Sequence, residues 1–454
     1  MLDSTRNIGG NQNLNFNIPR TNLSSNNEAK PETIEDSFTS SKPGSQYLIL
    51  PPKDKQGGLF RSNDVELKKM KVEVDEKLPI VNGYLAKLDD SKKTELAKAG
   101  YIVFEDKEEN WYPKDPSQMT LSDIDKAGGD EDIKLVERPK LTEPRFDTPL
   151  TRKYTGKGVG IAVIDSGVYP HPDFTSPNNR IVAFKDFVND MKIPYDDGGH
   201  GTHVAGDAAG NGAMSKGLYR GTAPDAGIIG LKALKGSGGG KTSDVIKSIQ
   251  WCIQNKEKYN IRVINMSLGH SAYDDFTQDP TNLAIRKAYE HGIVVVTSAG
   301  NSGPKPGTLT APGDSPHAIS VGAADDNNTP RDPSDDKITD FSSRGPAKSG
   351  LMKPDLVAPG EAIISTLSPG TEDSSRRSNQ LFNVLKWLND MPDEALTRIP
   401  PDTLKMFGFA DSTIERWMTS SKQARKEMKR IFRAVQKTPL VDNSYVGKPG
   451  TSMA

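Results

Sequence analysis

Three short segments carry side chains able to cooperate in one reaction: Ile164-Asp165-Ser166-Gly167, His200-Gly201-Thr202-His203-Val204-Ala205-Gly206, and Gly450-Thr451-Ser452-Met453-Ala454. They supply a carboxylate, an imidazole and a hydroxyl, in that order along the chain. A serine hydroxyl is a weak nucleophile until a neighbouring base takes its proton. Imidazole serves as that base when a carboxylate holds its Nδ1–H. The flanking residues suit this chemistry. Asp165 closes an apolar run, where a carboxylate is costly unless its lone pairs are used. Gly201-Thr202 leaves a substrate backbone room to approach the His200 ring. Small residues around Ser452 let its backbone N–H face a developing oxyanion. Asp-Ser-Gly alone also marks pepsin-type aspartic proteases, but no second Asp-Ser/Thr-Gly accompanies it, and that chemistry leaves the histidine segment unexplained. His200-x-x-His203 lacks the Glu-flanked spacing of zinc hydrolases, so His203 is expected to pack or hydrogen-bond.

The order Asp, His, Ser is one of three unrelated orders in which such a triad occurs. With the long run His200–Gly206, it resembles that of the subtilisin-like serine peptidases (subtilases, family S8). The resemblance covers about residues 45–105 and 156–360, plus the terminal serine motif. Within it, Gly199 to Gly210, Tyr219-Arg-Gly-Thr-Ala-Pro224, Asp325-Asp-Asn-Asn-Thr329 and Phe341-Ser-Ser-Arg-Gly-Pro346 look like the intracellular bacterial AprX-type branch. It implies a serine endopeptidase acting through an acyl-enzyme. Ser452 would attack, His200 would move the proton, and Asp165 would orient His200. Asn301, in Ser298-Ala-Gly-Asn-Ser-Gly-Pro304, would give its side-chain amide to the oxyanion beside the Ser452 N–H.

The resemblance also implies a substrate cleft. Ser267, Leu268 and Gly269 would form one wall of the S1 pocket, Ala299 and Gly300 the other, and Gly236–Gly240, with Gly238 and Gly239, the opposite strand toward S4. An extended peptide or protein substrate would add between these edges, taking affinity from main-chain bonds and selectivity from pockets. Glycine-lined walls leave space for a large apolar P1 residue, and no acid in these segments selects Arg or Lys. Calcium is common in the family. Here Asp207 to Gly221 lacks the Asn-rich loop that would place a strong site, so no metal ligand is assigned and no cofactor is required.

These residues need a rigid frame. Val159–Ile164, Gly227–Ala233, Ile261–Met266, Ile293–Thr297 and Ala318–Gly322 are predominantly apolar runs with helical patterns between several of them, such as Asn282 to His291 before Gly292. Buried strands alternating with helices predict an α/β, subtilisin-like fold with a mostly parallel central sheet flanked by helices. Ligands in such sheets bind beyond the carboxyl ends of strands, where Asp165, Ser267 and Asn301 fall. Ahead of it, residues 1–44 are polar and Asn-rich and are expected to be disordered. Residues 45–105 read strand, strand, helix, strand, with Tyr84, Ala86 and Leu88 alternating and Asp90-Ser91 capping a helix through Lys98-Ala99. This small α+β module resembles the inhibitory propeptide of subtilisins, which implies that the chain carries its own intramolecular inhibitor. Residues 106–155 read as a linker, acidic and extended at its start, able to lie between Ser267–Gly269 and Gly238–Gly240. Residues 156–454 form the peptidase domain.

Bulk properties narrow the setting. A net charge of -1 gives no global field for nucleic acid or an anionic membrane. The single cysteine forms no intramolecular disulfide; Cys252 follows Val245 and Ile249 at helical spacing and is expected to be buried. No signal peptide and no apolar run of about 18 residues is present, so a cytoplasmic location is expected, with non-classical secretion left open.

The chain departs from the family pattern twice. Between Gly360 and Gly450 lie 89 residues, a helical insertion at about 366–446. Leu381, Val384, Leu385 and Leu388 share one helical face; Ile414, Trp417, Met418, Met428, Ile431, Phe432 and Val435 share another. Arg416 to Lys437 holds eight Lys or Arg and one Glu, a basic face that an acidic partner could use, although a solvated cap explains it too. Second, the sequence stops two residues past Ser452, so the C-terminal part of the domain reads as missing and the Ser452 turn is expected to fray with little activity in this form. These departures motivate the alternative of a non-catalytic subtilisin-fold binding or regulatory protein.

Overall fold

The computed structural model describes residues 45–52, 64–112, 141, 144–145, 147–273, 276–371, 388, 391–401, 404, 411–426 and 444–454. The expected tail at 1–44 lies outside them, as do Leu381, Val384, Leu385, Met428, Ile431, Phe432 and Val435.

The N-terminal module is a four-stranded antiparallel sheet in the order β2-β3-β1-β4, built from β1 (Ser45–Leu50), β2 (Glu76–Leu78), β3 (Gly83–Leu88) and β4 (Ile102–Glu105). Helices α1 (Asp64–Lys69) and α2 (Asp90–Lys98) complete it. The α2 cap is Asp89, one residue earlier than expected, its carboxylate accepting from Lys92 N at 2.7 Å. Along β1 and β3 most residues are buried, Ser45, Gln46 and Lys87 being the exceptions. Tyr47, Ile49, Tyr84, Ala86 and Leu88 pack on Leu67 and Leu96, while Leu48, Leu50 and Leu85 join the core of the larger domain. Alternation here separates two buried faces.

The larger domain is an eight-stranded sheet with β13 (Lys337–Ile338), β12 (Ile319–Asp325), β11 (Val294–Ser298), β10 (Ile261–Met266), β6 (Gly160–Asp165), β8 (Gly227–Lys232) and β7 (Ile181–Asp186) in that order, and β14 (Leu356–Pro359) also on β12. All pairings are parallel except β12–β13. Helix α3 (His200–Ala209) covers one face through Val204, Ala205 and Ala209. Helices α4 (Thr242–Gln254) and α5 (Pro280–Glu290) cover the other, with Cys252 fully buried among them. From β6 the chain crosses to the edge strand β7 and returns to β8 beside β6, then passes to the other side through β10, β11 and β12. The reversal places a crevice at the carboxyl ends of β6 and β10.

Beyond this shared core, a strand pair and a helix cap join the segment that follows the module to this domain. Strand β5 (Glu108–Asn110) pairs antiparallel with β9 (Gly239–Lys241). Asp106 caps α4 from outside: its oxygens accept from Ser243 N at 3.0 Å and Ser243 Oγ at 2.7 Å, and the helix has no side-chain cap of its own at Lys241. Asp106→Ala is therefore expected to lower full-chain stability by about 1 kcal/mol, the typical worth of an N-cap. Denaturant unfolding reads it, and an unchanged midpoint would show that the cap contributes nothing.

Beside this cap, Asp244 is pushed up to about 6, by burial first, with Asp106 and Glu76 adding to it against Lys247 and Lys241. A carboxyl raised in the folded state penalises that state once it ionises, so the penalty is absent below about pH 4 and complete above about pH 6. Asp244→Asn should raise the melting temperature at pH 7.5 and leave it unchanged at pH 4. A gain of equal size at both would mean that the carboxyl is not strained.

In the insertion, Trp417 is fully buried on helix α6 (Asp411–Thr419) and donates from Nε1 to Leu396 O at 2.9 Å. Ile414, Leu388, Leu396, Ile399 and Leu404 are buried as well, but Met418 is 38% exposed and off the expected apolar face. Helix α6 ends at Thr419, and much of the basic stretch, from residue 427 on, lies outside the described residues. The insertion begins and ends on an antiparallel pair, β15 (Ile363–Thr366) with β16 (Tyr445–Lys448). Among the described residues no helix is long and apolar enough to cross a membrane.

Candidate active site

Asp165 ends β6 with its carboxylate fully buried. Both oxygens face His200 Nδ1, at 2.9 and 3.0 Å, and Oδ1 also accepts from Ser166 N at 2.7 Å and Tyr112 Oη at 2.5 Å. Burial alone would raise this carboxyl. The His200 ring, with the Tyr112 and Ser166 donors, outweighs burial and holds it below the usual carboxylate range.

His200 is the first residue of α3, so its position depends on how that helix begins. The orphan N–H groups of a helix start need partners, and Asp196 and Ser166 supply them. Asp196 Oδ2 accepts from Thr202 N at 2.8 Å, Ser166 Oγ from Gly201 N at 3.0 Å, and Ser166 Oγ donates to Asp196 Oδ1 at 2.8 Å. A Cβ at Gly201 would collide with the Gly167 carbonyl and press on Asp165, which is why His-Gly is needed where the helix meets β6. His203, one turn on, is fully buried. Its Nδ1 lies 3.0 Å from Asp207 Oδ2, and its Nε2 lies 3.1 Å from both Ile363 O and Val446 O, tying α3 to β15 and β16.

The Ser452 turn, expected to be unanchored, is held at several points. Gly450 N donates to Gly360 O at 2.8 Å, Ser267 Oγ donates to Ser452 O at 2.8 Å, and Met453 is buried against the α3 side of the sheet. Ser452 Oγ donates to Ser267 O at 3.1 Å. Asn301 Oδ1 accepts from Thr451 N and Thr451 Oγ1, each at 2.9 Å. With its oxygen fixed on Thr451, the Asn301 amide has only Nδ2 to offer elsewhere, the end an oxyanion donor must present. His200, Ser452, Asn301, Ser267, Leu268, Gly269 and Gly300 line one pocket. Ala299 lies beneath it, bonded to β12 through Val321 O at 2.9 Å.

Gly238 and Gly239 form the opposite edge, and that edge carries chain. Trp111 N donates to Gly238 O and Gly269 N donates to Trp111 O, both at 2.9 Å. The Trp111 side chain is fully buried, with Nε1 donating to Gly240 O at 3.1 Å and its ring edge-on to His270 at 4.9 Å. Tyr112 follows, against His200. The sequence reading placed the start of this segment near the cleft but gave no role to Trp111 or Tyr112. Two adjacent aromatics closing the charged run Glu105–Asn110 were the available signal. Asp196 and Thr451 were missed too, and nothing local in the sequence marks them.

Fold and site together define an α/β protein with a buried carboxylate–imidazole pair and a serine turn at the carboxyl edge of a parallel sheet. A model of the subtilase family (peptidase S8) matches residues 156–383, and the chain belongs to that family. It is 48% identical over 240 residues to serine protease AprX of Bacillus subtilis (strain 168), covering 51% of this chain and 53% of that protein. It is 37% identical over 222 residues to subtilisin E of the same organism, covering 48% and 51%. The solved structure of the S41 psychrophilic protease is 35% identical, with a TM-score of 0.40, covering 48% of this chain and 71% of that one. The chain spans about half the length of the curated relatives it matches.

Proposed function

We propose that the chain is a serine endopeptidase working through an acyl-enzyme, and that residues 45–112 keep it latent until they are removed. Ser452 is the nucleophile and His200 its base, Asp165 holds the reactive tautomer, and Asn301 with the Ser452 N–H receives the oxyanion. The reading is carried by the buried Asp165–His200 pair opening onto the same pocket as Ser452 and Asn301. Extended peptides would take the place of Trp111 between Gly238 and Gly269, with an apolar P1 side chain between Ser267–Gly269 and Ala299–Gly300.

A fluorophosphonate probe tests the chemistry on the gene product once opened, meaning cut at a site-specific protease sequence placed between residues 112 and 141 and separated from the N-terminal segment. Labelling lost in Ser452→Ala is expected, together with faster cleavage of Phe than of Arg anilides. A non-catalytic binding protein would give no labelling in any form.

A further inference from the structure

We propose that Tyr112 is a latch on the triad itself: its phenol bonds the carboxylate that His200 needs, so latency depends on a side-chain bond as well as on the blocked cleft. This rests on the peptidase reading above. The backbone delivers the residue. Pairing of β5 with β9 and the two Trp111 main-chain bonds leave Tyr112 as the next residue along the cleft, and its own N–H turns back to Asn110 Oδ1 at 2.9 Å. Its ring lies 4.2 Å from the His200 ring at 35° and is 8% exposed, so it covers one face of the imidazole. The phenol then reaches past the imidazole to Asp165 Oδ1 at 2.5 Å.

Three donors now share that oxygen: Ser166 N, His200 Nδ1 and Tyr112 Oη. A carboxylate whose charge is drawn on by a phenol stabilises an imidazolium less, and forming an imidazolium is what His200 must do when it takes the serine proton. Ser452 fits the same latent arrangement, because a hydroxyl has one hydrogen and here it points at Ser267 O. Burial and the Asp165 charge raise the Tyr112 phenol well above its ordinary value. It therefore remains a neutral donor across the physiological range, and the latch opens by removal of the segment rather than by titration.

Tyr112→Phe separates the latch from the plug, since it keeps the ring and every main-chain bond and removes only the hydroxyl. In the intact full-length chain, the rate of Ser452 labelling by a fluorophosphonate should rise about 10- to 100-fold, the factor expected when a hydrogen bond to a charged acceptor is lost from one state only. Tyr112→Ala, which also uncovers the imidazole, should rise at least as far. Thermal unfolding confirms that each variant is folded. If intact Tyr112→Phe labels within twofold of the parent while the chain opened between residues 112 and 141 labels fully, the plug alone accounts for latency and the latch is refuted, with the peptidase reading untouched. If the opened parent chain does not label, the peptidase reading falls and the latch falls with it.

Discussion

Asp165→Asn, in the opened enzyme, should lower kcat by about 10⁴-fold and leave KM nearly unchanged. The cradle explains the size. With the N-terminal segment gone, Ser166 N still donates to the Oδ1 position at 2.7 Å, so an asparagine turns its oxygen there and its NH2 toward His200 Nδ1. That nitrogen must then accept, and the ring proton moves to Nε2, the atom that has to receive the serine proton. The wrong tautomer is locked in while the geometry stays intact, and the loss is of the order seen when a triad aspartate is neutralised. The proposed substrate edges at Gly238 and Gly269 are not altered by this change, which is why KM is expected to hold. Steady-state kinetics on a peptide anilide read it directly. A loss below about tenfold would mean that His200 is oriented by something other than Asp165.

Asn301→Asp is expected to lower kcat by about 10²- to 10³-fold, the cost of one oxyanion donor in a subtilisin-type site. Aspartate keeps an oxygen for Thr451 N and Thr451 Oγ1, each now 2.9 Å from Asn301 Oδ1, so the serine turn stays anchored. Only the donor is lost, and a carboxylate oxygen takes its place where negative charge develops. An interaction made in the transition state alone changes kcat and kcat/KM together. If KM rises instead while kcat is unchanged, Asn301 binds ground-state substrate and the oxyanion has another donor.

Strands β6 and β8 were legible because parallel strands covered on both faces leave continuous apolar runs, while β10 interrupts its run with the exposed Arg262. Strand β7 was not recognised. It sits at the sheet edge with Val182 exposed and Ala183, Phe184 and Lys185 half-buried, so its pattern is mixed. The order of Asp165, His200 and Ser452 was legible, but their meeting place was not. It depends on the parallel register of β6 with β10 and on contacts such as His203 with Val446 that span most of the domain. Trp111 and Tyr112 were hidden for a related reason. Glu108, Glu109 and Asn110 look like linker until Lys241, Gly240 and Gly239 face them across the β5–β9 pair, a partner no local window contains.

The β15–β16 ladder brings Thr366 opposite Tyr445, so the two points where the insertion leaves and rejoins the domain are neighbours across a ladder. Topologically, everything between them is a parenthesis. The strand leading to Ser452 is pinned by its partner strand, by His203 and by the Tyr445 hydroxyl on Asp173 at 2.8 Å. Changing the length of a loop closed this way shifts stability only slowly, by about 0.6 kcal/mol per doubling. Ser368 Oγ still donates to Asp196 O at 2.8 Å in the turn that starts α3, so the junction is an exchange point beyond Thr371: a short hairpin turn, or a different folded unit, could stand between Thr371 and Tyr445 while Ser452 keeps its place. The ladder thereby separates the position of Ser452 from most of what fills that gap.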